Sequence, residues 1–152
     1  MAEAVTRRLR VLLDVDVVLD VLTRREPFFQ DSAALLAACE TGRCDGLVAA
    51  HTVTTLWYLL AKYHDSAYAR GRLSDLLRIV RVAAVDEDVI ERALVGALAD
   101  FEDSVQMAAA TTAAADYLVT RNLADFSGGP IPALAPAEFV TLVDKVAPRP
   151  VS

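Results

Sequence analysis

The stretch Val11-Leu12-Leu13-Asp14-Val15-Asp16-Val17-Val18-Leu19-Asp20 constrains this chain more than any other. A run of aliphatic residues reaches a carboxylate and then continues at helical spacing. That is the pattern of a buried parallel strand handing over to a helix at the edge of a sheet. Open α/β sheets bind ligands beyond the carboxyl ends of their strands, so Asp14 falls where such folds do chemistry. If the extended segment reaches Asp16, the two-residue period puts Asp14 and Asp16 on one side. Asp16 and Asp20, at i and i+4, fall on one face of the helix that follows. So many carboxylates in so apolar a segment need a cation or hydrogen-bond donors to meet them, because an unpaired buried charge is costly.

The rest of the chain repeats the alternation. Arg10 to Leu13 reads as the first strand, after a polar, basic lead-in over residues 1–9. The helix begun near Val15 stops before Pro27, since the residue ahead of a proline avoids the helical region. Asp31 or Ser32 is expected to cap a helix over Ala33 to Glu40 that Gly42 closes. Gly46 to Ala50 reads as a second buried strand, followed by a helix over His51 to Tyr63 whose early residues His51, Thr52 and Thr55 face the edge where Asp14 lies. A further helix runs from Ser66 to Leu77. Ile79 to Val85 is the third strand, and Asp86 caps a helix over Glu87 to Leu98. Ala99 to Asp103 interrupts the pattern, with Asp100 and Glu102 read as solvated loop residues, before an alanine-rich helix from about Ser104 to Ala114. Tyr117 to Thr120 is the fourth strand, Arg121 to Phe126 turns off its end, and Ala133-Leu134 is a short last strand. Pro136 opens a closing helix to Val146, and residues 147–152 form a frayed tail. Strands and helices alternating at these lengths imply a parallel sheet covered on both faces, a three-layer α/β/α sandwich.

A chain of 152 residues, 55% of them hydrophobic, makes a single domain over 1–152, with its core about 11–146, and buries a real core without staples. Charged residues interrupt every apolar run before it reaches the roughly 18 residues that a membrane span needs. The basic start lacks the cleavage pattern of a signal peptide, so the expected location is the cytoplasm. Cys39 and Cys44 have no His or further Cys to make a zinc site, and read as buried free thiols. The net charge of −6 argues against broad electrostatic attraction to nucleic acid. It leaves room for a nucleic-acid enzyme whose carboxylates are neutralised by metal ions. An apolar composition in so small a domain points to self-association.

This topology brings together acids that are scattered in sequence. Asp14 ends the first strand, Asp103 opens the helix before the fourth, and Asp125 follows the fourth. Clustered acids without a His, Cys or Ser nucleophile suit hard divalent cations, Mg²⁺ or Mn²⁺. Such ions activate water and stabilise charge on a phosphate. Thr120 and Asn122 add neutral donors beside the acids. Arg121 either pairs with a phosphate or faces solvent. Other readings of the same residues stay open. Asp14 and Asp103 each precede a helix and fit an N-cap. Asp20 either supports the site or sits on a solvated face, His51 and His64 read as ordinary polar residues, and Trp57 and Tyr58 as core or dimer contacts.

LLDVDVVLD near the start, with DFEDSVQMAAATTAAADYLVTRNLADF near the end, resembles the PIN domain, in the branch of VapC-like toxins. The similarity runs from about Val11 to Val146 and includes Glu26-Pro27-Phe28 and Trp57-Tyr58. The resemblance implies Mg²⁺- or Mn²⁺-dependent hydrolysis of RNA, often as the toxin of a bacterial toxin–antitoxin pair, dimeric and silenced by a cognate antitoxin. It matches Asp14, Asp103 and Asp125 to acidic ligands, and Thr120 and Asn122 to the polar positions of the last motif. The chain departs from the family at two positions. Asp16 stands where the family usually has Asn, and Thr55 where it usually has Glu. The second departure makes a catalytically silent module that binds RNA or protein the alternative. Asp14-Val15-Asp16 also resembles the nucleophile motif of haloacid-dehalogenase-type phosphatases, but that chemistry needs a lysine after a strand, and Lys62 and Lys145 are not so placed.

Overall fold

The computed structural model describes residues 7–148, so most of the basic lead-in over 1–9 and of the tail over 147–152 lies outside the described residues. Five parallel strands form one sheet: β1 (Arg10–Leu13), β2 (Asp45–Ala49), β3 (Arg81–Ala83), β4 (Tyr117–Val119) and β5 (Ala133–Leu134), in the order β3-β2-β1-β4-β5. Seven α-helices are described: α1 (Val15–Leu22), α2 (Phe29–Glu40), α3 (Ala50–Tyr63), α4 (Ser66–Leu76), α5 (Glu87–Leu94), α6 (Phe101–Thr112) and α7 (Pro136–Val146). A 3-10 turn, Leu123–Phe126, follows β4.

Two separate cores flank the sheet, as the two-residue period of a strand requires. Val11, Leu13, Val48 and Val119 enter one, with α1, α2, α3, α4 and α7. Leu12, Leu47, Ala49 and Leu118 enter the other, with α5, α6 and Phe126. This is the three-layer α/β/α sandwich that the alternation implied. The alanines of α6 (Ala108, Ala109, Ala110) are buried against the sheet, because small side chains let helix and strands approach closely.

Most element ends follow local chemistry. Asp86 accepts from the Val89 amide and caps α5, as expected. Gly42, at φ +76°, ends α2, with its own amide bonded to the Cys39 carbonyl and the Arg43 amide to that of Ala38. That left-handed position after a helix is one that glycine alone takes without strain. Cys39 and Cys44 are free and buried, with Sγ atoms 3.6 Å apart.

α1 begins at Val15, as expected, so the extended segment does not reach Asp16 and the two aspartates are not strand neighbours on one side. Three other helix boundaries differ from the sequence reading. α2 begins at Phe29, four residues before Ala33, without a side-chain cap from Asp31 or Ser32. α5 ends at Leu94, four residues before Leu98. α6 begins at Phe101 because Asp100 is its cap, accepting from the Asp103 amide at 3.0 Å. Asp100 is therefore an exposed helix cap, and Glu102 an exposed residue of the first turn of α6, rather than loop residues.

Candidate active site

The alternation of β1 decides where Asp14 goes. Leu13 points into the α1 core, so the next residue, still extended at φ −64° and ψ 151°, points to the α6 side. Thr120, after Val119 on the adjacent strand, does the same, and the two meet. The Thr120 hydroxyl donates to one Asp14 oxygen at 2.8 Å, while Gln106 Nε2 on α6 donates to the other at 3.0 Å. Asp14 occupies the cap position of α1, yet its carboxylate makes no cap hydrogen bond. It faces the sheet edge, so the capping reading does not hold for its side chain. Burial pushes its carboxyl above the usual aspartate range, and the bonds from Gln106 and Thr120 counter that rise.

Asp103 lies one turn before Gln106, on the same face of α6. It is not the cap of that helix, since Asp100 fills that position. Its carboxyl is pushed up to about 6, by burial first and then by the negative charges of Asp100, Asp14, Asp125 and Glu102. A carboxylate in the first turn of a helix is ordinarily favoured by about 0.3–1 kcal/mol. Burial and like charge outweigh that help here, and the charges of Asp14 and Asp125 both reach Asp103 at the sheet edge.

The remaining donors close the site on one side. Thr120 Oγ accepts from the Asn122 amide at 2.9 Å, and the Asn122 side chain donates to Asp16 at 3.3 Å. Asp125 sits in the 3-10 turn that these bonds fix. The acids run from wholly buried (Asp14) through half-buried (Asp16, Asp103) to exposed (Asp125), so the cluster opens to solvent. The Thr55 hydroxyl donates within α3 to the His51 carbonyl at 3.2 Å, which leaves only its lone pairs for the opening, in place of a carboxylate.

Two features were not read from the sequence. Gln106 holds Asp14 from α6, and its signal was its place as the one long polar residue in the alanine run. Asp20 is wholly buried, so of its two readings the supporting one holds, and its partner is the half-buried Arg121. Arg121 Nε donates to Asp20 at 2.7 Å and Nη2 at 3.3 Å, with its guanidinium 3.9 Å above the ring of Phe28. The pair ties α1 to the turn that carries Thr120, Asn122 and Asp125. His51, at the start of α3, has both ring nitrogens buried without partners, and burial lowers its pKa.

Taken together, a parallel sheet with oxygen donors from three elements at the carboxyl edge of its central strands defines a class of domain built around an acidic centre. The comparisons narrow it. A family profile described as a PIN domain matches residues 10–124. Among solved structures, a toxin–antitoxin complex from Klebsiella pneumoniae is similar at TM-score 0.63 and 22% identity, over 83% of this chain and 97% of that one. VapC20 of Mycobacterium tuberculosis, a sarcin–ricin loop cleaving toxin, is similar at TM-score 0.58 and 18% identity, over 71% of this chain and 86% of that one. DNA-bound VapBC from Salmonella typhimurium is similar at TM-score 0.64 and 15% identity, over 84% and 98%. No curated protein matched. The chain belongs to the PIN domain family. The phosphatase resemblance has nothing further to stand on, as Lys62 and Lys145 lie on α3 and α7.

Proposed function

We propose that this protein is a metal-dependent endoribonuclease that hydrolyses RNA phosphodiester bonds, and that it is the toxin of a toxin–antitoxin pair. The observation that carries the reading is the convergence of Asp14, Asp103 and Asp125 on the open sheet edge, where burial first and the neighbouring carboxylates second push the Asp103 carboxyl up to about 6. Like charges gathered from three elements at an open edge are a standing electrostatic cost, which a bound cation relieves.

The donor set fits Mg²⁺ or Mn²⁺. It is all oxygen, and it is graded from a rigid, buried carboxylate to exposed ones. As the side chains lie, no three of the described His, Cys, Asp and Glu residues stand close enough to cage an ion. Mg²⁺ usually keeps several waters and takes only one or two carboxylates. Asp14, Asp103 and Asp125 would hold it, and when bound it would polarise the phosphate and activate water. Gln106 and Thr120 fix the direction of Asp14, so that its remaining lone pairs face the opening. Asn122 does the same for Asp16, whose charge stands where the family usually has none. Asp103, with a carboxyl near 6, takes up or releases a proton close to neutral pH.

The toxin assignment is supported by the structural neighbours, several of which are toxin–antitoxin assemblies, so an antitoxin protein is the expected partner. No helix among the described residues is long and apolar enough to cross a membrane. Within this reading the protein acts in the cytoplasm as a homodimer, and the exposed side chains of Tyr58, Tyr63, Leu94 and Val95 supply apolar surface for pairing. Incubation of purified protein with RNA tests the activity. Cleavage is expected with Mn²⁺ or Mg²⁺ and is abolished by chelation or by Asp103→Asn. Cleavage that survives both refutes the mechanism. A folded protein that binds RNA and never cuts it, with either ion present, identifies the silent module that Thr55 made the alternative.

A further inference from the structure

Beside the acidic edge lies a cavity of about 220 Å³ that the proposed chemistry does not use. Phe28, Asp31 and Ser32 from the start of α2 line one wall, Pro136 and Ala137 from the first turn of α7 another, and Arg121 separates it from the acids. The volume falls below the roughly 300–1,000 Å³ of sites for drug-sized ligands and suits a single ring system.

Three observations point to a ligand. Arg121 is held rigidly by Asp20 and by the face of Phe28, yet its Nη1 takes part in neither bond to Asp20, so a pre-aligned guanidinium edge remains to donate. Ser32 is wholly buried and its hydroxyl has no hydrogen-bond partner among the described residues. Buried polar groups are nearly always paired, so an orphan in a cavity wall marks a position where a bound group finds a partner. At the start of α7, Pro136 has no N–H to give, and the amides of Ala137 and Glu138 lack intrahelical acceptors.

We infer that this cavity receives one nucleobase of the RNA, next to the scissile phosphate, and that it favours guanine. The inference rests on the nuclease reading for the identity of the polymer. Unstacked bases of single-stranded RNA are bound on aromatic or guanidinium planes and by their edges. A guanidinium edge presents paired N–H donors, which the O6 and N7 acceptors of guanine match. Adenine places an amino donor on that edge, and pyrimidines have no N7. Asp31, exposed at the cavity mouth, accepts from the ring and amino N–H groups that guanine also carries and repels a phosphate. Arg121 stands between Thr120 and Asn122, which bond Asp14 and Asp16, so a base held here brings its backbone to the acidic edge.

The test needs no metal and no cleavage. The protein is titrated with each of the four nucleoside 5′-monophosphates and with ribose 5-phosphate, by calorimetry and by amide chemical shifts. Guanosine 5′-monophosphate is expected to bind saturably, about tenfold tighter than the others, the low end of bidentate discrimination. Shifts are expected at Ser32, Arg121 and Ala137. Ala137→Phe, at an exposed helix position, fills the cavity without disturbing the core and is expected to abolish binding, with the melting temperature kept. Equal binding of all five ligands makes this a phosphate site and overturns the inference, as does no binding, or binding that survives Ala137→Phe. If RNA is cut and no base binds, the cavity assignment alone fails. If guanosine binds and RNA is never cut, the nuclease reading alone fails.

Discussion

Replacing Asp103 with Asn is expected to stabilise the metal-free protein while removing its activity. The folded carboxyl titrates near 6, whereas an unfolded aspartate titrates near 4. Between those values the folded state holds a proton that the unfolded state has lost. Stability therefore falls as pH rises through this window, and the whole penalty is present above it. Taken at face value, two units correspond to about 3 kcal/mol. Asp103 is only half-buried, so solvent screening reduces this to about 1 kcal/mol. For a domain of this size that is a rise of roughly 2–4 °C in melting temperature. Calorimetric scans of both proteins from pH 4 to pH 8, in chelator, measure it. The two curves should coincide near pH 4 and separate by pH 7, with Asp103→Asn the more stable. Millimolar Mn²⁺ should raise the wild type toward the variant and leave the variant unmoved. A variant that is less stable than wild type at pH 7 in chelator would refute the argument that like charge and burial dominate at this position.

Three further outcomes follow from particular contacts. Asp20→Ala leaves Arg121 without its buried partner, so a loss of about 3–5 kcal/mol is expected by urea unfolding; a loss below 1 kcal/mol would show that the pair does not tie α1 to the β4 turn. Thr120→Val removes the donor to Asp14 and the acceptor for the Asn122 amide, at a cost of about 1–3 kcal/mol, together with weaker Mn²⁺ binding by calorimetry. Gly46→Ala would put a methyl 2.8 Å from Cys39 Sγ and 3.0 Å from Val80, so a loss of about 1–3 kcal/mol is expected with the site unaffected.

The sheet and its layers were legible in the sequence because each strand is a short aliphatic run ending in a turn or a polar residue. Asp14 was legible for the same reason, and the strand period that carries it to the sheet edge also carries Thr120 there. What stayed hidden was set by partners far along the chain. Asp20 could be read as a supporting acid or a surface one until Arg121, a hundred and one residues away, is found upon it. Gln106 reads as one polar residue among alanines until the fold sets it against Asp14. The start of α6 was misplaced because Asp100 has the composition of a loop, and only its bond to the Asp103 amide makes it a cap. Thr55 was read as a departure at an acidic position, and in the fold its hydroxyl hydrogen bonds back to the His51 carbonyl of its own helix.

On the proposed mechanism, aspartates from separate elements share one cation. Diffraction from crystals soaked in Mn²⁺, with data collected at the manganese absorption edge, tests this most directly. The expected result is an anomalous peak in contact with at least two of Asp14, Asp103 and Asp125, lost in crystals of Asp14→Asn. Well-ordered carboxylates with no peak among them, at saturating Mn²⁺, would contradict it.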